Sequence, residues 1–278
     1  MHSFTNATVT DGCGARPLAV SVVSHGHNLQ VQALLNDLAQ FSAATVSRVV
    51  ITLNKPEAEP QAPSEGWPFV LHIVRNTHPL GFGANHNRAL SGATEPFVCV
   101  VNPDVRWCGS DPLGTLVQAA AQAGVGCSYP AQMDEAGNWQ DSERALPTPM
   151  ALLRRRVLGQ RDARVDWVNA ACLVLPRTVW QRLGGFDEAY FMYCEDVDLC
   201  LRLRLAGLAL VRVSARVVHA GQRASHRRLS HLVWHVRSLL QLWRSPVYSR
   251  ARHLLREGAV SAGTIVRSLS GCLWWLLW

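Results

Sequence analysis

Between residues 18 and 101 the chain alternates short apolar, β-branched runs with helix-patterned ones, and that alternation restricts the folds open to it. Leu18 to Ser24 is Val-rich and stops at the turn His25-Gly26-His27-Asn28. A helical pattern follows, with Leu29, Ala33, Leu34 and Leu38 on one face. Arg48 to Leu53 is the next strand, ended by Asn54-Lys55-Pro56, and the Pro-interrupted stretch from Glu57 to Trp67 reads as loop. Phe69 to Val74 is a third strand, Ala84 to Ala93 suits a helix, and Pro96 to Val101 is a fourth strand. Strands separated by helices cannot pair as hairpins. They predict an α/β fold with a mostly parallel central sheet and helices on both faces. Beyond it the pattern thins. Ala131 to Thr148 reads as loop or hairpin, Val165-Asp166-Trp167 and Ala171 to Leu175 as short strands, and Thr178 to Leu183 as a brief helix closed by Gly184-Gly185.

A chain of 278 residues with 48% hydrophobic and 17% charged side chains has a core to bury and is not a disordered segment. Its charge is unevenly placed. Residues 199–278 hold thirteen Arg against one acid, Glu257, so the +7 chain divides into a −5 body and a +12 end. Three regions are expected: a loose leader over 1–16, a catalytic α/β domain over 17–228, and a basic amphipathic helical tail over 229–278. The eight Cys form no CxxC pair or regular framework, which favours a reducing compartment. Met1 to Pro17 has no apolar signal core, so the expected location is cytoplasmic.

The stretch Gly184 to Cys200 concentrates chemistry. Asp187, Glu188, Glu195, Asp196 and Asp198 sit among Phe186, Tyr190, Phe191, Met192 and Tyr193. An isolated acidic run is usually a solvated helix face, but these aromatics want burial. Carboxylates against a half-buried wall have perturbed proton affinity, as a catalytic base requires.

Three other segments carry candidate groups. An apolar strand runs into Asn102-Pro103-Asp104, which presents Asp104 where ligands bind in open α/β sheets. A carboxylate there suits Mg²⁺ or Mn²⁺, although an Asx turn explains an isolated Asn-Pro-Asp equally well. Gly81 and Gly83, in the turn from Asn76 to Asn87, let a ligand or another backbone come close. His219 ends a second apolar run and is followed by the polar, cationic stretch Gln222 to Arg228. A lone His in such a place is usually structural.

Leu229, Leu232, Val233, Val236, Leu239, Leu240 and Trp243 form one apolar helical stripe, and the chain ends on Leu273-Trp274-Trp275-Leu276-Leu277-Trp278. Trp-rich apolar groups beside Arg suit an anionic membrane interface, and the stripe suits either a membrane or the protein body. The apolar end is too short to span a bilayer. Nucleic acid is not an expected partner, because no recognised module accompanies the basic end and its aromatics cluster apart from Arg.

Together, and in order along residues 18–228, these segments resemble family 2 glycosyltransferases of the GT-A fold, most closely the rhamnosyltransferase-like branch. The resemblance rests on the Ser24-His25 turn, Gly81 to Asn87, Asn102-Pro103-Asp104, Asp166 to Ala171, the Gly184 to Cys200 motif and His219. It implies inverting transfer of a sugar, such as rhamnose, from a nucleotide-diphosphate donor to a hydroxyl of a lipid-linked or polysaccharide acceptor. The implied catalytic pair is Glu195 and Asp196, with Asp196 as general base. Ser24, His25, Asn54, Gly81, Gly83, Asn87, Asn102 and Asp104 stand where that family binds its donor. Asp104 and His219 match its divalent-metal ligands, for Mg²⁺ or Mn²⁺. Trp167, Asn169, Asp187 and Glu188 are the candidate sugar or acceptor contacts.

Two positions depart from the pattern. Leu53-Asn54 stands where the family often has Asp-Asn, and Asn102 replaces the first metal-site acid. They leave open a catalytically weak relative that binds a nucleotide sugar or polysaccharide. The implied location is the cytoplasmic face of the membrane, held peripherally.

Overall fold

A computed structural model of the chain describes residues 16–159, 164–220 and 229–256. Residues 1–15 of the expected leader, the run Gln222 to Arg228 and the terminal Trp cluster lie outside the described residues.

The alternation read from the sequence folds as expected over the first hundred residues. Strands β1 (Leu18–Ser24), β2 (Val46–Leu53), β3 (Val70–Arg75) and β4 (Phe97–Val101) are interleaved with helices α1 (Asn28–Phe41) and α2 (Phe82–Leu90). β1 pairs in parallel with β2 and β4, and β2 with β3. The rest of the chain extends the same sheet. After β5 (Val105–Trp107) and α3 (Pro112–Ala120) comes β6 (Val125–Met133), then β7 (Glu143–Arg144), α4 (Pro149–Leu158) and β8 (Trp167–Val168). β9 (Cys172–Pro176), α5 (Arg177–Leu183), α6 (Glu195–Leu205) and β10 (Ala209–His219) follow, then α7 (Leu229–Arg244) and α8 (Pro246–Arg256).

The eight-stranded sheet has the order β3-β2-β1-β4-β9-β6-β10-β5, and β7 and β8 form a separate two-stranded ribbon. β9 runs antiparallel to both β4 and β6, β10 is parallel to β6, and β5 is antiparallel to β10. Six strands therefore share one direction, and β9 and β5 oppose it.

Alternation along each strand feeds two cores. In β4, Val98 and Val100 face one and Cys99 and Val101 the other; in β1, Ala19 faces the first and Val20 and Val22 the second. α1 and α3 cover the second core with Leu34, Leu38, Leu113 and Leu116. α6 covers the first with Leu199, Leu201 and Leu203, joined by Tyr248, Ala251 and Leu255 of α8 and Leu242 of α7. The described part of the expected tail thus shares a core with the sheet.

α6 had no helical signal in its acidic sequence. It is nearly buried all round, so no one-sided stripe marks it. Gly184 ends α5 at φ 71°, the left-handed stop expected from the sequence. Among the described residues no helix is long and apolar enough to cross a membrane.

Candidate active site

Strand direction gathers the candidate residues. β1, β2, β3, β4, β6 and β10 all end at one edge of the sheet, where ligands bind in open α/β folds. That edge holds the turn after Ser24, Asn54 after β2, Asn76 after β3, Asn102 to Asp104 after β4, Gln132 near the end of β6 and His219 at the end of β10. β9 starts there because it runs the other way, and the Asn102 amide donates to the Ala171 carbonyl at 2.8 Å. Residues remote in sequence converge for this reason alone.

Asp104 and His219 meet. His219 Nε2 lies 3.4 Å from Asp104 Oδ1, and the Ala220 amide donates to the Asp104 carbonyl at 3.1 Å. Gln140, in the loop after β6, grips the histidine twice: its Nε2 donates to the His219 carbonyl at 2.5 Å and its Oε1 sits 3.2 Å from Nδ1. This assignment makes Nδ1–H the donor to Gln140. The neutral ring then turns the Nε2 lone pair toward the Asp104 carboxylate. Two acceptors facing each other suit a cation between them. Among the described residues no group of three or more His, Cys, Asp or Glu is placed to hold a metal. Asp104 and His219 could hold a divalent ion that takes its other ligands from a diphosphate and water, as Mg²⁺ and Mn²⁺ do.

Glu195 and Asp196 open α6. Their two predecessors, Tyr193 at φ 71° and Cys194 at φ 67°, are the positive-φ non-glycine residues of the described chain. Such backbone costs about 1–3 kcal/mol per residue and collects at functional sites. Asp196 is half-buried, while Glu195 is buried with its Oε2 lacking a hydrogen-bond partner among the described residues. Burial, then the charge of Asp196, pushes the Glu195 carboxyl well above the usual range. Burial raises Asp196 too, against the pull of amide hydrogen bonds from Val197, Asp196 and Ala170 and of the Arg144 charge. A half-buried carboxylate with raised proton affinity, tied to the β8–β9 turn through Ala170, is equipped to take a proton at neutral pH.

Arg144, Gln132 and Gln140 carried no signal in the sequence. The Arg144 guanidinium lies 5.2 Å from the Trp167 ring centre and donates to the Asp141 carbonyl. Trp167 is buried, with its Nε1 donating to the Ala145 carbonyl at 2.9 Å, so it supports Arg144 from within the core. Asn169 exchanges amide hydrogen bonds with buried Gln132 at 2.6 and 3.1 Å, which fixes it at the sheet edge. Such partners come from distant loops and have no fixed spacing to read.

The remaining candidates hold the frame. Asn54 is buried, and its Oδ1 accepts from the Leu80 amide and from Asn76 at 2.8 Å each. Its Nδ2 donates to the Leu80 carbonyl at 3.0 Å and lies 3.2 Å from His25 Nδ1. It ties two edge loops together. Ser24 is buried and accepts from the His27 amide, whereas His25 is exposed, its proton affinity lowered by partial burial and by Lys55 and His27.

Gly81 and Gly83 are placed by close approach of the chain itself. A Cβ on Gly81 would lie 2.6 Å from the Phe191 carbonyl oxygen, and one on Gly83 would lie 2.7 Å from Phe186 Cβ. Asn87 clamps the same loop, bonding the Phe186 amide and carbonyl at 2.9 and 2.8 Å and exposed Glu188 at 2.9 Å. Asp187 accepts from the Ala189 amide in a turn well before α6. The glycine-rich turn and the acidic motif are thus one packed unit.

Comparison with known proteins agrees with this geometry. Residues 16–241 match the family model described as Glycosyltransferase like family 2. An N-acetylglucosaminyl-diphospho-decaprenol L-rhamnosyltransferase of Mycobacterium tuberculosis is 30% identical over 253 residues, covering 80% of this chain and 82% of the relative. Rhamnosyltransferase WbbL of Escherichia coli K12 is 28% identical over 242 residues, covering 79% and 89%. Among solved structures, mannosyltransferase PcManGT from Pyrobaculum calidifontis, in complex with GDP-Man and Mn²⁺, superposes with a TM-score of 0.57 at 18% identity, covering 88% of this chain and 75% of that one. Staphylococcus aureus TarS gives 0.52 at 14% identity, covering 90% and 44%. The sheet, its ligand edge and the family match lead to one conclusion: the chain belongs to glycosyltransferase-like family 2 and is a sugar transferase of the GT-A fold.

Proposed function

We propose that this enzyme moves a deoxysugar, of which rhamnose is the leading candidate, from a nucleotide-diphosphate donor to a hydroxyl of a lipid-linked acceptor, with inversion. The observation that carries the reading is the shared edge of Asp196 and the Asp104–His219 pair, one suited to accept a proton and the other to face a diphosphate. The rhamnosyl and lipid-carrier parts rest on the relatives from M. tuberculosis and E. coli.

In this reading Asp196 removes the acceptor hydroxyl proton as the oxygen attacks the anomeric carbon on the face opposite the diphosphate. Arg144 keeps part of the Asp196 population ionised against its burial. Glu195, too enclosed to meet the acceptor directly, orients the loop and strengthens the negative field around Asp196. Asp104 and His219 would hold Mg²⁺ or Mn²⁺, which would supply charge stabilisation for the departing diphosphate. Exposed Arg237, Arg244, Arg250 and Arg252 on α7 and α8 face outward with Leu232, Val233 and Val236, which supports peripheral attachment to an anionic membrane at its cytoplasmic face.

The test is nucleotide release from thymidine, uridine and guanosine diphosphate sugars, with Mn²⁺ or Mg²⁺, for the wild type and Asp196→Asn. Metal-dependent turnover of one donor, abolished in the variant, is expected. Turnover untouched by the substitution would remove Asp196 as base. Donor binding without turnover, with acceptor lipids supplied, would leave the chain a binding relative.

A further inference from the structure

α7 leaves much of its apolar face uncovered. Leu232, Val233, Val236 and Leu240 are 50, 63, 47 and 40% exposed, although Leu242 of the same helix is fully buried. The uncovered residues border an open groove of about 770 Å³ whose other side is Asp187 and Tyr190 of the acidic motif. The groove therefore shares a wall with the loop that carries the catalytic pair. Two bonds reinforce this link: Ser238 Oγ donates to the Met192 carbonyl at 2.8 Å, and the Tyr193 hydroxyl lies 2.8 Å from His231 Nδ1.

The groove is not uniformly apolar. Arg237 and Arg244 line it, seven residues apart on α7, so they stand on one face about 10 Å apart along the axis. Both are exposed, and no described carboxylate pairs with either. Gln241 and Ser245 lie at the Arg244 end. The one acid in the lining, Asp187, is turned to its own loop, where it accepts from the Ala189 amide at 3.0 Å. An apolar trough with two unpaired guanidiniums fits a long hydrocarbon chain that carries a phosphate or diphosphate, since planar guanidinium donors match phosphate oxygens.

We propose that this groove is the seat of the acceptor's lipid carrier, its hydrocarbon on Leu232, Val233, Val236 and Leu240 and its diphosphate between Arg237 and Arg244. The inference rests on the acceptor being lipid-linked, as proposed above. It adds a site, separate from the donor edge, that delivers the acceptor sugar past Tyr190 toward Asp196.

The test is co-sedimentation of the full chain with phosphatidylcholine vesicles carrying decaprenyl diphosphate, compared with vesicles carrying phosphatidylglycerol at equal surface charge. The decaprenyl diphosphate vesicles are expected to bind at least about tenfold more tightly, equivalent to about 1.4 kcal/mol. Val236→Ser with Leu240→Ser should remove most of that affinity, and Arg237→Gln with Arg244→Gln should remove the preference over phosphatidylglycerol. All four positions are exposed, so an unchanged melting temperature checks folding. Equal binding to both vesicle types, or variants that bind as the wild type does, would overturn the site. So would conversion of a dimer to a monomer by the serine variant, which would give the groove to a second copy of the chain. Donor turnover, measured separately, reports on the transferase reading whatever the groove does.

Discussion

Among single residues, Asp196 carries the sharpest expectations. Its proton affinity is raised by burial and held down by three amides and by Arg144. A base must be ionised to act, so kcat/KM should fall on the acid side with a limb displaced upward from the ordinary Asp value of 3.8. Arg144→Leu removes a charge that favours the ionised form, and the limb should move further up. The rate should recover at alkaline pH, which a merely misfolded variant would not show. Asp196→Asn should lose at least about a hundredfold in kcat at every pH. Gln140 makes a second prediction: Gln140→Ala frees His219 to rotate, and the Mn²⁺ needed for half-maximal donor binding should rise about tenfold. The acidic residues were legible because they form a continuous motif. Arg144 and Gln140 were not, since their value comes from where two loops end.

At the level of elements, the unit that matters is α2, the turn before it and the loop from Gly184 to Cys194. Gly81 and Gly83 invite a ligand-cradle reading in sequence, and close backbone approach was the equally available alternative. The structure selects the second, because Phe186 and Phe191 fill the space a cradle would need. Gly83→Ala should therefore act on packing. A Cβ forced to within 2.7 Å of Phe186 Cβ costs about 1–3 kcal/mol, read as a lower melting temperature at about 2–4 °C per kcal/mol. Activity should fall with it, since the same loop holds the strained Tyr193-Cys194 pair that aims Glu195 and Asp196. α7 braces this loop from outside through Ser238 and His231, a connection its apolar stripe did not announce.

For the whole molecule, two buried groups make opposite demands on pH. His86 is enclosed in the first core beside Phe82 and Phe186, with Nδ1 2.8 Å from Ser21 Oγ, and burial lowers it to about 3. The unfolded chain takes up that proton near 6.5, so stability falls as pH drops below 6.5. At pH 4 the loss from His86 alone is about 3 kcal/mol, and His86→Gln should flatten it in urea titrations. Glu195 has the reverse sign. Its folded-state affinity lies above 4.5, so the stability it allows is present below that value and is lost as pH rises through the raised one. Glu195→Gln should be more stable than the wild type at pH 8, with the difference shrinking toward pH 5. A gain in stability with a loss of transfer would mark the enclosed carboxylate as kept for function.

The sequence by itself determined the parallel half of the sheet, the left-handed stop at Gly184 and the chemical identity of the site. Each depends on local periodicity or on a continuous motif, which a chain displays before it folds. The opposing direction of β9, the burial of α6 on every side and the meeting of Asp104, His219 and Gln140 were decided by tertiary structure. Strand direction and loop convergence are set by contacts between residues far apart in the chain, and no window of sequence contains both partners. The same reason hid the groove beside α7, because a helical stripe shows that a face is apolar and only packing shows which part of it stays open.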